Sequence, residues 1–206
     1  MDSKRESTMK VLALADLHGS QYRLNILLKN IEKYSPDLVV ICGDITQFGP
    51  GDLAKNFLDQ IPPTTYAIRG NIDTKDVNNG IENSKAINLT MKRVEKNGIP
   101  FVGLGEGIPD ISKIDKKLVD EKCVLISHEP PYGFQDKVFL GMHAGSKELR
   151  KIVDKYKPRL VLCGHIHEDP GFTKTKDITI VNSSMGKRGE GALIELNKKV
   201  NVKMLD

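Results

Sequence analysis

Six short apolar runs, rich in β-branched residues, recur along the chain and alternate with segments of helical spacing. The runs are Val11 to Ala15, Leu38 to Cys42, Thr65 to Ile68, Phe101 to Leu104, Cys123 to Ser127 and Leu160 to Cys163. Strands that are apolar at nearly every position are buried on both faces, as in a parallel sheet covered by helices. This alternation therefore predicts an α/β protein built around parallel strands.

Two helical stripes and a set of later strands complete the predicted architecture. Apolar residues at helical spacing predict one helix around residues 24–31 and another around residues 149–156. Shorter runs predict antiparallel strands at 86–90, 93–96, 178–181, 192–196 and 200–204. Gly80 and Gly171 are predicted to mark turns between such strands. The pattern favours two mixed sheets packed between helices.

Length and composition bound the class of protein. Charged residues make up 28% and hydrophobic residues 39%, the balance of a folded, water-soluble protein. The length predicts a single domain over 9–206, and the polar first eight residues, 1–8, predict a disordered leader. No apolar run approaches the roughly 18 residues that span a bilayer, so we expect a cytoplasmic protein without membrane contact. Three cysteines cannot all pair, which fits buried thiols in a reducing compartment.

The charge pattern bears on partners. The formal net charge is +4, with Lys and Arg interspersed among acidic residues rather than massed in one run. A nucleic-acid partner is therefore open but not favoured over a small substrate. The sequence also leaves open whether the chain forms a homo-oligomer.

Side chains that bind metal ions follow five of the predicted strands. The functional crevice of an open α/β sheet lies beyond the carboxyl ends of its strands, so we expect these side chains to meet. Four of the five histidines in the chain occupy such positions. The predicted ligands are Asp16, His18, Asp44, Asn71, His128, His165 and His167. The sequence therefore predicts a metal centre at one rim of the sheets.

The type and number of these ligands indicate which ions would bind. The segments Asp-Leu-His and His-Ile-His each place two ligands on the same side of an extended backbone. Gly43, Gly70 and Gly164 precede three of the ligands and predict tight turns that aim them inward. A mixed nitrogen and oxygen set without cysteine suits manganese, our first choice, or Fe, Ni, Zn or Co. Seven ligands are too many for one ion, so we expect two, sharing a carboxylate and a nucleophilic hydroxide.

In chain order, these segments resemble the five motifs of calcineurin-like metallophosphoesterases, and the resemblance covers nearly all of the chain. The segments are Asp16-Leu-His18, Gly43-Asp44, Gly70-Asn71-Ile-Asp73, Ser127-His128 and Gly164-His165-Ile-His167. The resemblance implies a four-layer α/β/β/α sandwich of two mixed sheets flanked by helices. It assigns one metal to Asp16, His18 and His167, the second to Asn71, His128 and His165, and the bridging position to Asp44.

One position departs from the pattern of the most familiar members. Those members carry a histidine between the Asn and the acidic residue of the third motif, where it binds phosphate or protonates the departing oxygen. This chain has Ile72 there, and Asp73 is left without the partner that it would orient. Members that resemble this chain at that position favour phosphodiesters.

The predicted function is therefore hydrolysis of small phosphodiesters, including nucleotide or cyclic nucleotide esters. Tyr132 and Phe134 follow His128 and would offer a stacking surface for a nucleobase, the alternative being that both pack in the core. A phosphomonoesterase, a nuclease and a catalytically weak interaction scaffold of the same fold are the alternative functions.

Further residues are candidates for catalysis or substrate binding. His143 precedes the predicted second helix and is a candidate to replace the missing acid, the alternative being a histidine that stabilises its own loop. Lys187 and Arg188 follow a strand and are candidates to bind substrate phosphate together with Asn71 and His143. The alternative for the two basic residues is a solvated turn.

Overall fold

The computed structural model describes residues 8–186 and 189–206, in which twelve strands and four α-helices are found. In chain order they are β1 Met9–Leu14, α1 Gln21–Tyr34, β2 Leu38–Cys42, α2 Gly51–Leu58, β3 Thr65–Ile68, α3 Asp76–Glu82, β4 Ile87–Asn88, β5 Lys92–Lys96, β6 Ile99–Gly105, β7 Val124–Ser127, α4 Lys147–Tyr156, β8 Leu160–Cys163, β9 Gly171–Lys174, β10 Thr179–Asn182, β11 Ala192–Leu196 and β12 Val200–Met204.

The strands form two mixed sheets of six strands each. The first sheet has the order β12-β11-β1-β2-β3-β4, and the second has the order β5-β6-β7-β8-β10-β9. Strands β1 to β4 are parallel, as are β6, β7, β8 and β10, whereas the flanking strands run antiparallel. The parallel strands in the middle of each sheet are the apolar runs from which the fold class was predicted.

Three buried apolar clusters separate the layers. Val40 of β2 and Phe101 of β6 belong to the cluster between the two sheets. Leu24 and Leu27 of α1 are buried with residues of the first sheet, and Leu149 of α4 is buried with residues of the second. Helices α1 to α3 therefore cover one sheet and α4 covers the other, which confirms the predicted α/β/β/α sandwich.

Some local predictions were wrong. Strand β4 pairs parallel with β3, and β10 pairs antiparallel with β9, as predicted, but parallel with β8. An apolar run reveals a strand but not the direction of its neighbour. Gly171 begins β9 rather than marking a turn. Gly80 lies inside α3, where a Cβ would be 2.1 Å from the carbonyl oxygen of Gly51 in α2. Gly80 therefore does not mark a turn. It permits α2 and α3 to pack closely.

All three cysteines are buried and unpaired, as predicted. Burial raises the pKa of the Cys42 thiol to about 12 and that of Cys123 to about 11, so neither forms a thiolate readily. Residues 1–7 of the predicted leader lie outside the described residues, so the leader stays a prediction.

Within residues 8–186 and 189–206, no helix combines the length and the apolarity that a bilayer-spanning helix needs.

The contact between α2 and α3 predicts the effect of replacing Gly80 by alanine. Alanine is favoured over glycine in a helix by about 1 kcal/mol, but overpacking against a backbone atom costs about 1–3 kcal/mol or more. Because an approach of 2.1 Å to a backbone oxygen places the cost at the upper end of this range, we expect Gly80→Ala to lower the free energy of unfolding in urea by about 1–2 kcal/mol. The exposed neighbour provides the control, since Asn79→Ala should change stability by no more than about 0.5 kcal/mol. Equal stability of the two variants would contradict this account of the packing.

Candidate metal centre

The structure brings the seven predicted ligands to one rim, at the carboxyl ends of strands from both sheets. Two follow β1, one each follows β2, β3 and β7, and two follow β8. Asp16, Asp44 and His128 are buried, whereas His18, His165 and His167 are half-buried and Asn71 is exposed. The carboxylates therefore form the floor of the site, and the other side chains stand between the floor and solvent.

Asp16, His18 and His167 form the first group. Their ligand atoms all lie within 4.8 Å of one another. The Nε2 atoms of His18 and His167 are 3.2 Å apart, and Nε2 of His167 is 3.6 Å from Oδ1 of Asp16. Two imidazole nitrogens and one carboxylate oxygen thus point at a common centre.

The second group joins Asp16 to Asp44 and His128, again with ligand atoms within 4.8 Å of one another. Asn71 and His165 extend this group, because Oδ1 of Asn71 lies 2.7 Å from Nε2 of His128 and 3.0 Å from Nδ1 of His165. The backbone N–H of His165 donates to Oδ2 of Asp16. The two groups are therefore contiguous, and Asp16 belongs to both.

Three glycines allow the loops of the site to approach closely. A Cβ on Gly43 would lie 2.6 Å from Nδ1 of His128, and one on Gly70 would lie 2.2 Å from Oδ1 of Asp44. A Cβ on Gly164 would lie 2.1 Å from Cβ of Ala15. Of the three glycines, only Gly43 has a positive φ. What all three share is the close approach of a neighbouring loop. The sequence-based explanation, that these glycines permit tight turns, therefore holds for Gly43 alone.

Four of the seven ligands have left-handed backbone conformations. The φ angles are 66° at Asp16, 52° at His18, 52° at Asp44 and 69° at His165. Such conformations are unfavourable for residues other than glycine and persist only where the surroundings enforce them. Their concentration at this rim points to a functional site.

Hydrogen bonds orient the buried ligands. Nδ1–H of His128 donates to the carbonyl oxygen of Cys42 at 2.8 Å, which turns Nε2 toward Asp44 at 3.3 Å. Burial opposes protonation of His128, but the Asp44 carboxylate outweighs it and raises the pKa of this imidazole to about 9. Burial lowers the pKa of His18 and His165, which favours the neutral imidazole that binds a metal ion.

The residues present fit a divalent cation at each group. Oδ1 of Asp16 is a buried side-chain atom that has no hydrogen-bond partner within residues 8–186 and 189–206. Nε2 of His18 faces Nε2 of His167, and the carboxamide oxygen of Asn71 faces two imidazoles. Buried lone pairs that converge in this way are unfavourable unless a cation or a proton lies between them.

Asp73, which has no role in the sequence-based prediction, positions the loops that carry two ligands. Its Oδ1 accepts hydrogen bonds from the backbone N–H and the hydroxyl of Thr46, at 2.7 and 2.9 Å. Its Oδ2 accepts from the backbone N–H groups of Ile45 and Gly70, each at 3.0 Å. Burial raises the pKa of Asp73, and these donors oppose that rise. One buried carboxylate therefore ties the loop after β2 to the loop after β3.

A cavity of about 600 Å³ opens beside the first group. Ile72 lines it together with His18, His167 and Arg23, so an apolar side chain stands next to the ligands. The guanidinium of Arg23 donates to the carbonyl oxygen of Asp16. Sequence analysis missed Arg23, although its place in the first turn of the helix after Asp-Leu-His was a signal that could have indicated it.

His143 lies in a different cluster from the seven ligands. Its Nδ1 is 2.6 Å from Oδ1 of the fully buried Asp136, and its ring centroid is 5.4 Å from that of Tyr132. Burial opposes ionisation of Asp136, but N–H donors of Gly133 and Gly145 and the contact with His143 hold the pKa of this carboxyl below its usual value. An ionised Asp136 accepts from Nδ1–H, which leaves Nε2 of His143 free for other partners.

The loop that carries His143 is tied to the loop that carries two of the ligands. Asn182 donates to the carbonyl oxygens of Gln135, Ile166 and Asp169, at 3.3, 2.8 and 3.0 Å. The backbone N–H of Lys137 also donates to Asp169. The Asp136–His143 pair is thus anchored to the loop after β8.

The other candidate substrate contacts have mixed outcomes. Lys187 and Arg188 lie outside the described residues. The preceding Gly186 packs closely on His167, since a Cβ on Gly186 would lie 2.5 Å from Cβ of His167.

Phe134 is partly buried against the core beneath α4, and the Arg150 guanidinium lies over its ring. Of the two alternatives for Phe134, packing in the core is therefore the correct one.

Comparison with known proteins agrees with this geometry. The sequence model described as Calcineurin-like phosphoesterase matches residues 9–169. An uncharacterized protein of Methanocaldococcus jannaschii is 32% identical over 85% of this chain and 88% of its own length. A probable glycerophosphodiester phosphodiesterase of Arcobacter nitrofigilis is 26% identical over 74% of this chain and 64% of its own length.

Solved structures share the fold at low sequence identity. A protein of Thermus thermophilus superposes with a TM-score of 0.73 at 15% identity, covering 96% of this chain and 99% of that one. A structure described as a novel archaeal phosphodiesterase gives a TM-score of 0.57 at 16% identity, covering 96% of this chain and all of that one.

The hydrogen bonds of Asp73 predict that it is required for stability. In Asp73→Asn one carboxylate oxygen becomes an NH₂ group, which cannot accept, so one or two buried donors lose their partner. Each unsatisfied donor costs about 1–3 kcal/mol, and we expect a loss of about 2–4 kcal/mol in the free energy of unfolding.

The control is Thr46→Val, which removes only one of the four hydrogen bonds and should cost less than Asp73→Asn. Urea unfolding of both variants measures the difference. If Asp73→Asn unfolds at the same urea concentration as the unmodified chain, Asp73 does not hold the two loops together.

Proposed function

Because this chain belongs to the calcineurin-like phosphoesterase family, we propose that it is a phosphodiesterase that uses two divalent transition-metal ions and acts on small phosphodiesters. The family uses divalent metal ions, and manganese is our first choice for this chain. The observation that carries the proposal is the convergence of seven nitrogen and oxygen ligands at one rim. We place the protein in the cytoplasm, where nucleotide and cyclic nucleotide esters are available.

The seven side chains divide into two proposed ligand sets, and the buried Asp16 lies within reach of both groups. Asp16, His18 and His167 would hold one ion, and Asn71, His128 and His165 would hold the other, with Asp44 between them. When bound, such an ion pair supplies Lewis acidity and a nucleophile at neutral pH. The buried carboxylates provide the negative charge that a pair of dications requires, and the Cys42 carbonyl keeps His128 in the orientation that ligation needs.

Asn71 has a second role in the proposal. Its Oδ1 faces His128 and His165, which leaves the carboxamide NH₂ as a donor on the exposed side of the site. We assign this group to a phosphoryl oxygen of the substrate, where it would help to stabilise the charge that develops during attack.

The cavity beside the first group favours a diester. Ile72 gives this wall an apolar surface, and Arg23 gives it one positive charge, which matches the single negative charge and the two organic groups of a phosphodiester. The exposed ring of Tyr22 also lines the cavity and offers a stacking surface for a nucleobase. The names of the Arcobacter nitrofigilis relative and of the archaeal structure support the same choice.

We propose that His143 donates a proton to the leaving group. Asp136 orients its imidazole in the way that a carboxylate orients a catalytic histidine, and Asn182 ties the loop to Ile166 and Asp169 in the segment that carries two of the ligands. This assignment supplies the general acid that Ile72 does not.

The proposal predicts that Asp44→Asn abolishes activity without unfolding the protein. With Mn²⁺ and bis(p-nitrophenyl) phosphate, we expect the rate to fall by at least about 10³-fold, because the bridging charge is lost. The control is Asp52→Asn in the first turn of α2, which is exposed and should retain full activity. Undiminished hydrolysis by Asp44→Asn would contradict the proposal, and circular dichroism would show whether the fold is kept.

A second prediction concerns the leaving group. His143→Gln should slow cleavage of a cyclic nucleotide, which releases a poorly acidic sugar alkoxide, by about 10²-fold or more. It should leave cleavage of bis(p-nitrophenyl) phosphate nearly unchanged, because p-nitrophenolate needs no proton to depart. Equal effects on both substrates would show that His143 is not the acid.

A further inference from the structure

A cleft of about 560 Å³ lies at the amino-terminal ends of β8, β10 and β12. The metal centre follows the carboxyl end of β8, so the cleft and the metal centre lie at opposite ends of that strand. Six of the cleft residues carry a positive charge. They are Lys122, Arg159, Lys174, Lys176, Lys198 and Lys199.

The lining of the cleft carries an excess of positive charge. Of the described residues that line it, only Glu121 and Asp177 are acidic, so six cations and two carboxylates give a net charge of +4. The formal net charge of the entire chain is also +4, which means that all other residues together sum to zero. The cleft lining therefore carries a surplus of four positive charges, whereas the remaining residues carry equal numbers of positive and negative formal charges.

Arg159 and Lys174 are held in place by backbone carbonyl oxygens, which orient their positive charges but do not neutralise them. The guanidinium of Arg159 donates to the carbonyl oxygen of Asn197, and Nζ of Lys174 donates to the carbonyl oxygen of Val200 at 3.0 Å. Within the described residues, neither of these side chains is ion-paired with a carboxylate. Burial lowers the pKa of Arg159, which shows that the surroundings disfavour its charge. A half-buried guanidinium of this kind is stabilised when an anion binds to it.

One of the two acidic groups is already paired. The Asp177 carboxylate lies 3.5 Å from Nζ of Lys157, which is not part of the cleft lining. The positive potential inside the cleft is therefore opposed mainly by Glu121.

Protection of a sheet edge does not account for this arrangement. Lysines on edge strands prevent pairing with other chains, and that explanation fits Lys174 on the edge strand β9. Edge protection does not explain Arg159, Lys198 or Lys199, because these residues lie in the turns before β8 and β12 and not on an edge strand. The cations come from four separate segments that converge on one cavity.

We propose that this cleft is a second binding site, for an oligophosphate chain such as inorganic tripolyphosphate or the triphosphate of a nucleotide. Its volume lies in the range of about 300–1,000 Å³ that is usual for small-molecule sites. Several cations around one concavity match a compact polyanion, whereas a nucleic-acid duplex requires an extended basic surface. This inference does not depend on the proposed phosphodiesterase activity.

Calorimetric titration of the full chain tests the proposal. The protein is first treated with a chelator and dialysed, so that metal ions at the other end of β8 neither bind nor cleave the ligand. We expect saturable binding of one tripolyphosphate per chain, with an affinity that falls as the salt concentration rises. Arg159→Gln should weaken this binding at least tenfold.

A second variant covers the event that Arg159→Gln does not fold. This variant combines Lys174→Gln with Lys199→Gln, at two exposed positions of the cleft. The double variant should also bind tripolyphosphate at least tenfold more weakly, and its circular dichroism spectrum should match that of the unmodified chain. The charge-matched control combines Lys29→Gln with Lys117→Gln, two exposed lysines outside the cleft, and should bind as tightly as the unmodified chain.

Comparison of ligands distinguishes the sources of the anion. Equal affinity for tripolyphosphate and ATP would show that the phosphate chain alone is recognised, and tighter binding of ATP would show that the nucleoside also contacts the cleft. Absence of saturable binding, or an equal loss in the control variant, would overturn the proposal. Tighter binding of a duplex oligonucleotide than of either small anion would overturn it in favour of a nucleic-acid surface.

Discussion

The close approach of three loops at glycines is the constraint on which the rest of the site depends. Gly43, Gly70 and Gly164 lie where a single Cβ would collide with a neighbouring loop or ligand. Because no side chain intervenes, Asp16 and Asp44 lie side by side beneath the histidines and are shielded from water. The left-handed backbone at four ligands is a second consequence of forcing these loops together.

Burial of two carboxylates at one place is costly, and the structure shows what offsets it. Asp44 is paired with His128, and Asp16 accepts a backbone hydrogen bond from His165 while facing His167. Even so, one oxygen of Asp16 has no hydrogen-bond partner in the part of the chain that the structure describes. Buried charge of this kind is retained where it binds a cation. The opposite end of the strands carries the reverse charge, so the two ends of the sandwich suit different ligands.

Much of this arrangement could be predicted from the sequence, because strand ends carry both the apolar signal and the ligand signal. The fold class followed from β-branched runs such as Leu38–Cys42, and the rim followed from the residues after them. Contacts between segments distant in the chain could not be predicted in the same way. Gly80 packs against α2, Asp73 binds the loop after β2 and Arg23 lines the cavity, and none of these depends on local periodicity.

The central claim is that the converging side chains hold two cations next to each other. Anomalous diffraction from crystals grown with Mn²⁺, collected near the manganese absorption edge, tests it most directly. The account predicts two peaks about 3.5–4 Å apart, one beside His18 and His167 and the other beside His128 and His165. A map with no peak at this rim, or with the metal bound elsewhere on the protein, would contradict it.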